Sequence, residues 1–252
     1  MRLASLGSGS RGNATLVEAD GVCVLVDCGF SLTRTLDALV ALGKAGDDLT
    51  AVLVTHEHGD HFRGVKALAR EFDLPVFMTA GTARATSAQS IDRLEIVTGD
   101  SAWRMGPLEI LPVPVPHDAR EPVQFIMEDA GTRLGVLTDV GHISNHVRTR
   151  YATCDVLFIE ANHDRDLLWR GPYPARVKER IAGTLGHLSN AQAGEFLEGL
   201  GQGPLRQLVV GHISETNNRQ QLVRECLART GLSAPTTLAM QGEVMSWIDL
   251  EE

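Results

Sequence analysis

The chain reads as an α/β protein built from two packed β-sheets covered by helices on the outside. Three observations predict this. Short β-branched and aliphatic runs recur along all 252 residues with turn signals between them. A strand-then-helix order holds near the start and through the second half, whereas the middle is almost entirely strand. No Ser/Pro-rich linker or low-complexity block divides the chain. Strands too numerous for one open sheet, with helices in two groups, imply paired sheets within a single domain, residues 1–252.

In order, Leu3–Leu6, Thr15–Glu18 and Val22–Asp27 are expected strands, with Ala19-Asp20-Gly21 as the turn between the second and third. Leu32–Leu42 places Leu32, Leu36, Leu39 and Val40 on one helical stripe that stops at Gly43. Ala51–Thr55 is a buried-type strand, and Phe62–Phe72 a helix with Val65, Leu68, Ala69 and Phe72 on one face. Strands follow at Val76–Met78, Leu94–Thr98, Leu108–Val115, Val123–Glu128 and Arg133–Thr138, broken by Gly- and Pro-containing turns. The second half predicts strands Asp155–Glu160 and Gln207–Gly211, helices Tyr173–Ala182, Asn190–Leu200 and Asn218–Thr230, and two short final strands, Thr236–Met240 and Glu243–Ile248.

Composition narrows the function classes. With 43% hydrophobic and 22% charged residues the balance is that of a globular protein, which excludes wholesale disorder. Apolar stretches such as Val22–Val26 fall far short of the ~18 residues a membrane span needs. The first residues carry one cation and no apolar core, so no secretory signal is expected and the chain reads as soluble and cytoplasmic. Acidic residues outnumber basic ones 32 to 23, for a net charge of −9. That disfavours loose, sequence-blind adhesion to nucleic acid. It leaves room for a nucleic-acid enzyme whose bound metals add local positive charge. Cys23, Cys28, Cys154 and Cys226 form no CxxC pair and read as reduced thiols.

The strongest chemical signal is Thr55-His56-Glu57-His58-Gly59-Asp60-His61, at the end of an apolar strand. Three histidines and two carboxylates in six residues are hard to explain as packing, because these side chains are costly to bury. Neutral imidazole and carboxylate are the usual ligands of Zn²⁺ and related divalent metals. Three further ligand-type residues each end an apolar strand: His117 in Pro116-His117-Asp118-Ala119, Asp139 in Thr138-Asp139-Val140-Gly141, and His212 in Gly211-His212-Ile213-Ser214.

His56-x-His58-x-Asp60-His61 after a hydrophobic strand resembles the signature of the metallo-β-lactamase superfamily. The resemblance implies a four-layer αββα sandwich with a metal site at one edge of the paired sheets. It also implies that His56, His58 and His117 hold one divalent metal, that Asp60, His61 and His212 hold a second, and that Asp139 bridges them. Several further segments resemble the YycJ/WalJ-like subfamily, related to the ribonuclease Z type nucleases. They are Ser5-Leu6-Gly7-Ser8-Gly9-Ser10-Arg11-Gly12-Asn13, Leu25-Val26-Asp27-Cys28-Gly29, His117-Asp118-Ala119-x-Glu121-Pro122, Glu160-Ala161-Asn162-His163-Asp164, Gly186-His187-Leu188-Ser189-Asn190 and His212-Ile213-Ser214-Glu215-x-Asn217-Asn218. They spread from residue 3 to about residue 220.

That subfamily implies a metal-dependent nuclease with 5′-to-3′ exonuclease action, on DNA ahead of RNA, using a hydroxide held between two metals. Asp60 would then orient or deprotonate the attacking water. Gly186-His187-Leu188-Ser189 is similar to the Gly-His-Ser-Thr segment of ribonuclease Z, which makes His187 a candidate general acid or phosphate contact; a histidine merely near a helix cap is the plain alternative. Asp27 is placed to accept the free N–H of a ligand histidine, or simply to form a turn. Ser8 and Asn13, in a Gly-rich loop, are candidates for a phosphate contact through backbone N–H groups, and His163 for substrate contact or support of the site. His142 and His146 lie one turn apart but read as surface or substrate-facing.

Two other readings stay open on sequence. One is a small-molecule hydrolase, either a cyclic or small phosphodiesterase or a thioesterase of the glyoxalase II kind, which shares the first motif. The other is a partner-binding module whose metals are structural. The 47 residues between Asp139 and His187 are too few for the large inserted domain of ribonuclease J-type enzymes. A His-rich site suits zinc, with manganese or iron open for the second position. Neither oligomeric state nor protein partners follow from the sequence.

Overall fold

The computed structural model describes residues 1–201 and 203–250. It is an α/β fold of two mixed sheets with flanking helices. The chain groups into two compact units. Unit 1 comprises Met1–Pro114, Ala119–Thr132 and the stretch from Ala239; unit 2 comprises Val115–Asp118 and Arg133–Leu238.

Unit 1 opens with β1 (Arg2–Gly7), β2 (Ala14–Ala19) and β3 (Val22–Val26), an antiparallel meander. β4 (Ala51–Leu53), β5 (Val76–Thr79) and β6 (Leu94–Val97) join β3 in parallel, and β14 (Met245–Asp249) pairs antiparallel with β1. The strand order is therefore β14-β1-β2-β3-β4-β5-β6. β4 is apolar and fully buried, as a central parallel strand must be. Three more antiparallel strands, β7 (Trp103–Met105), β8 (Leu108–Pro114) and β9 (Val123–Asp129), complete the unit. Its core joins Leu6, Leu16, Leu25 and Val52 from the sheet to Leu39, Val65 and Leu68 from the helices.

The helices of unit 1 are α1 (Leu32–Ala41), α2 (Gly59–Phe62), α3 (Val65–Glu71) and α4 (Ala80–Ala85). Here the structure departs from the single helix expected over Phe62–Phe72. Helix begins earlier, inside the histidine motif, and is interrupted at Gly64. The Gly64 N–H donates to the Cys28 carbonyl at 2.7 Å instead of to a carbonyl within its own helix. A Cβ there would collide with the Phe30 carbonyl, so the approach of that loop requires glycine. α4 was not expected, because Ala-Gly-Thr-Ala-Arg-Ala shows no stripe; a Thr79 side-chain cap on Thr82 N–H starts it.

Unit 2 is a parallel ladder: β10 (Thr132–Leu137), β11 (Val156–Glu160), β12 (Gln207–Gly211) and β13 (Thr236–Leu238). The register sets Leu137 beside Ile159, and Glu160 beside Gly211. Asp139, Glu160 and His212 therefore leave the sheet at the same, carboxyl-terminal edge, where parallel α/β sheets place their ligands. The helices are α5 (Asn145–Tyr151), α6 (Arg165–Arg170), α7 (Ala175–Ala182), α8 (Asn190–Leu200) and α9 (Gln220–Ala228). α5 and α6 were not anticipated; both are short and are initiated by the Ser144 and Asp164 side-chain caps. α8 matches its expected span and carries a reciprocal Ser189–Gln192 capping box. Among the described residues no helix is long and apolar enough to cross a membrane.

Candidate metal centre

In unit 1 the site grows from the ends of two adjacent parallel strands. Asp27 follows β3, and its N–H donates to the Leu53 carbonyl on β4 at 2.8 Å. Thr55 and His56 follow β4. Asp27 is 2% exposed and receives three donors: Thr55 N–H at 2.8 Å, Thr55 Oγ1–H at 2.8 Å and His61 Nδ1–H at 2.7 Å. Burial pushes the Asp27 carboxyl up, against the lowering effect of His61 and Thr55. Because the Thr55 hydroxyl gives its proton to Asp27, it accepts from His56 Nδ1 at 2.9 Å. One carboxylate thus sets both imidazoles as Nδ1–H tautomers, leaving the Nε2 lone pairs as ligands.

His56 Nε2 lies 3.0 Å from His58 Nδ1, so two ring nitrogens converge on one point. Asp60 Oδ2 lies 3.7 Å from His61 Nε2. All four residues of the motif are grouped within unit 1. Asn13 and Ser8 face inward to the same loop. Asn13 Oδ1 accepts from Gly9 N–H at 2.8 Å and from the Ser8 hydroxyl at 3.3 Å, while its Nδ2 reaches His61 Nε2 at 3.0 Å. The Asn13 backbone N–H also donates to the Asp60 carbonyl at 2.8 Å.

In unit 2, Asp139, His187 and His212 offer ligand atoms within 4.8 Å of one another. Glu160, wholly buried, organises them. Its Oε1 accepts from Val140 N–H at 2.8 Å and Leu188 N–H at 3.1 Å; its Oε2 accepts from His187 Nδ1 at 3.1 Å and His212 Nδ1 at 3.2 Å. Burial opposes its charge, but His187 and the two imidazole hydrogen bonds outweigh that and hold the Glu160 carboxyl at about 2. His117 donates Nδ1–H to the Gly186 carbonyl at 3.1 Å, and its Nε2 stands 3.8 Å from Asp139 Oδ1. His187 is the open member: its side chain is 21% exposed, whereas those of His117, Asp139 and His212 are nearly closed off.

Backbone conformation marks the same positions. Asp27, Asp139 and His212 adopt φ of 62°, 52° and 49°, a left-handed region that non-glycine residues seldom occupy. Such strain is retained where a sharp turn aims a side chain.

His163 is buried, with no hydrogen-bond partner at Nδ1 among the described residues, and burial lowers its pKa to about 4. His142 and His146 are exposed, His142 Nδ1 meeting the Thr184 carbonyl at 2.9 Å. Glu160 and Thr55 receive no role from the sequence, although Glu160 carries the signal that singles out Asp139 and His212: a ligand-type residue closing an apolar strand. The donors fit divalent metals. Nδ1–H anchored imidazoles whose Nε2 atoms are buried beside carboxylates are the ligand chemistry of zinc and its neighbours.

This fold and these histidine–aspartate clusters define a metallo-β-lactamase-type protein. The chain belongs to the Beta-lactamase superfamily domain family, whose profile matches residues 23–213. It is 32% identical over 224 residues to Exodeoxyribonuclease YycJ of Bacillus anthracis, covering 87% of this chain and 84% of that protein. Exodeoxyribonuclease WalJ of Streptococcus pneumoniae serotype 2 (strain D39) is also 32% identical, over 225 residues, 86% of this chain and 83% of its own. The crystal structure of Zn(2+)-bound PqqB from Methylobacterium extorquens superposes with a TM-score of 0.74 at 18% identity, covering 99% of this chain and all of that one, a likeness of fold.

Proposed function

We propose that this chain is a metal-dependent exonuclease that hydrolyses DNA phosphodiester bonds from the 5′ end. The observation that carries it is the Asp139–His187–His212 cluster held by buried Glu160, in a chain whose relatives over most of its length are named exodeoxyribonucleases. His56, His58 and His117 would hold one metal, and Asp60, His61 and His212 another, with Asp139 on both. This assignment follows the family's order of motifs along the chain. Zinc or manganese suits such a set, with iron a further candidate. Once bound, a pair of such ions supplies a hydroxide nucleophile at neutral pH and neutralises the phosphate's charge.

The protein's own groups divide the remaining work. Asp60 accepts a proton from the attacking water. Glu160 fixes the His187 Nδ1–H, so that His187, the open member of its cluster, can hand a proton from its other nitrogen to the leaving oxygen. His61 and His56 keep their tautomers through Asp27 and Thr55. The four cysteines, in no disulfide among the described residues, fit a reducing, cytoplasmic setting, and the two units are read as one working domain.

The test is digestion of 5′-labelled and 3′-labelled duplex DNA with Mn²⁺ or Zn²⁺, beside a chelator control. Early release of labelled mononucleotide from the 5′ end alone supports the reading. Intact DNA together with turnover of bis(p-nitrophenyl) phosphate or of a thioester would replace it with a small-molecule hydrolase.

A further inference from the structure

A basic, aromatic face in unit 2 is absorbed by none of the chemistry above. Between Arg165 and Arg180 the chain carries five cationic residues against two acidic ones, a net of +3 within a chain of net −9. Trp169, at the end of α6, is 47% exposed, and α7 has no buried residue. Arg170 and Arg176 are exposed and make no hydrogen bond or ion pair among the described residues. Lys178 Nζ donates to the Trp169 carbonyl at 2.8 Å, tying the two helices together. Tyr173 Oη reaches Thr216 Oγ1 at 3.4 Å, bracing the loop between them.

The end of α7 is hydrogen-bonded to the segments that carry the ligand cluster. The His187 N–H donates to the Ile181 carbonyl on α7 at 2.9 Å, and the Asp118 N–H donates to the Leu185 carbonyl at 3.0 Å. Arg180 Nε pairs with Asp118 Oδ2, next to His117. α7 is thus tied, through the Ile181 carbonyl and the Arg180 side chain, to the segments that carry His187 and His117.

We infer that the α6–α7 face is a binding platform for single-stranded nucleic acid, with Trp169 stacking on an unpaired base and Arg170 and Arg176 meeting phosphates. The inference rests on the nuclease reading and names how that site takes its strand. An exposed indole and unengaged guanidiniums carried on two adjoining helices match the two requirements of strand binding, a π-face for bases and cations for the backbone. A duplex hides its base faces, so the platform engages strand that is unpaired, as at the frayed end of a duplex. It also answers the charge problem: an acidic chain repels nucleic acid generally and admits it where the positive residues are gathered.

The experiment uses the metal-loaded chain and a phosphorothioate single-stranded oligodeoxynucleotide that resists hydrolysis. Binding is read by anisotropy of the labelled oligonucleotide and by tryptophan emission. Wild type is expected to bind with quenched emission. Trp169→Ala should lose the quench and bind at least about fivefold more weakly, the scale of one stacked base. Arg170→Glu and Arg176→Glu should weaken binding and flatten its salt dependence by about 0.7 in logarithmic slope per lost phosphate contact. All three should turn over bis(p-nitrophenyl) phosphate as wild type does and melt at an unchanged temperature. Variants that bind the oligonucleotide and degrade DNA like wild type overturn the platform while leaving the nuclease standing. Self-association lost in Trp169→Ala with oligonucleotide binding intact overturns it too, in favour of a second copy of the chain. A wild type that binds through Trp169 yet cleaves nothing supports the platform and removes the nuclease reading instead.

Discussion

Asp27 Oδ2 accepts the His61 Nδ1–H at 2.7 Å while its other oxygen holds the Thr55 N–H, so a single buried carboxylate joins the end of β3 to the histidine motif after β4. The contact exists because β3 and β4 are parallel neighbours in register, Val26 beside Leu53. It makes the histidine's chemistry depend on a residue more than thirty positions upstream.

Asp27→Asn tests that dependence. The amide keeps one acceptor but turns an N–H toward donors already there, so His61 loses its fixed tautomer. Metal affinity, measured by competition with a chromogenic chelator, should fall about 10–100-fold with the fold retained. Unchanged affinity would make Asp27 a turn residue only.

Glu160 should show a split between its charge and its bulk. Glu160→Gln keeps an acceptor for Val140 and Leu188 but cannot accept from both imidazoles; turnover should fall by roughly 10²–10⁴-fold, the scale seen when a histidine's orienting acid is neutralised. Glu160→Ala strands buried donors and should cost about 3–5 kcal/mol in chemical denaturation. Equal effects of the two changes on stability would contradict this division.

His163 predicts a pH-dependent stability. Its folded pKa, about 4, lies below the ordinary 6.5, so the unfolded chain takes a proton that the folded one refuses. Its contribution is intact above about pH 6.5, declines as pH falls, and levels off below about 4. The full loss is on the order of 3 kcal/mol. Urea melts at pH 7.5 and pH 5 should converge in His163→Gln; the wild-type difference persisting in the variant would show that other groups carry it.

Gly29→Ala should disable the motif from a distance. A Cβ at Gly29 would collide with the Asp60 carbonyl and crowd the Asn13 N–H. Both are backbone, which moves at a cost of roughly 1–3 kcal/mol or more. A lowered melting temperature together with reduced metal content is expected, and normal values for both would show that the loop gives way.

Much of this was legible in the sequence, and the reasons are physical. The apolar runs Leu3–Leu6, Val22–Asp27 and Gln207–Gly211 became strands because burial on both faces permits little else. The histidine motif stood out because its residues are expensive to bury unless they bind something. What escaped was set by contacts distant in sequence. The break at Gly64 depends on the Cys28 carbonyl, α4 to α6 on single capping side chains, and the role of Glu160 on a register that brings β10, β11 and β12 to one edge. The Asn13 side-chain amide is bonded to Gly9 and His61, contacts that composition cannot reveal.

The most direct test of the central claim asks whether both ligand sets serve one reaction. Release of nucleotide from 5′-labelled DNA should be measured for wild type, His58→Ala in unit 1 and His212→Ala in unit 2, with metal content determined alongside. Metal-dependent release by wild type, falling at least about 100-fold in each variant with bound metal reduced, is the predicted result. Full activity in either variant would contradict it, because the reaction would then need only one of the two sets.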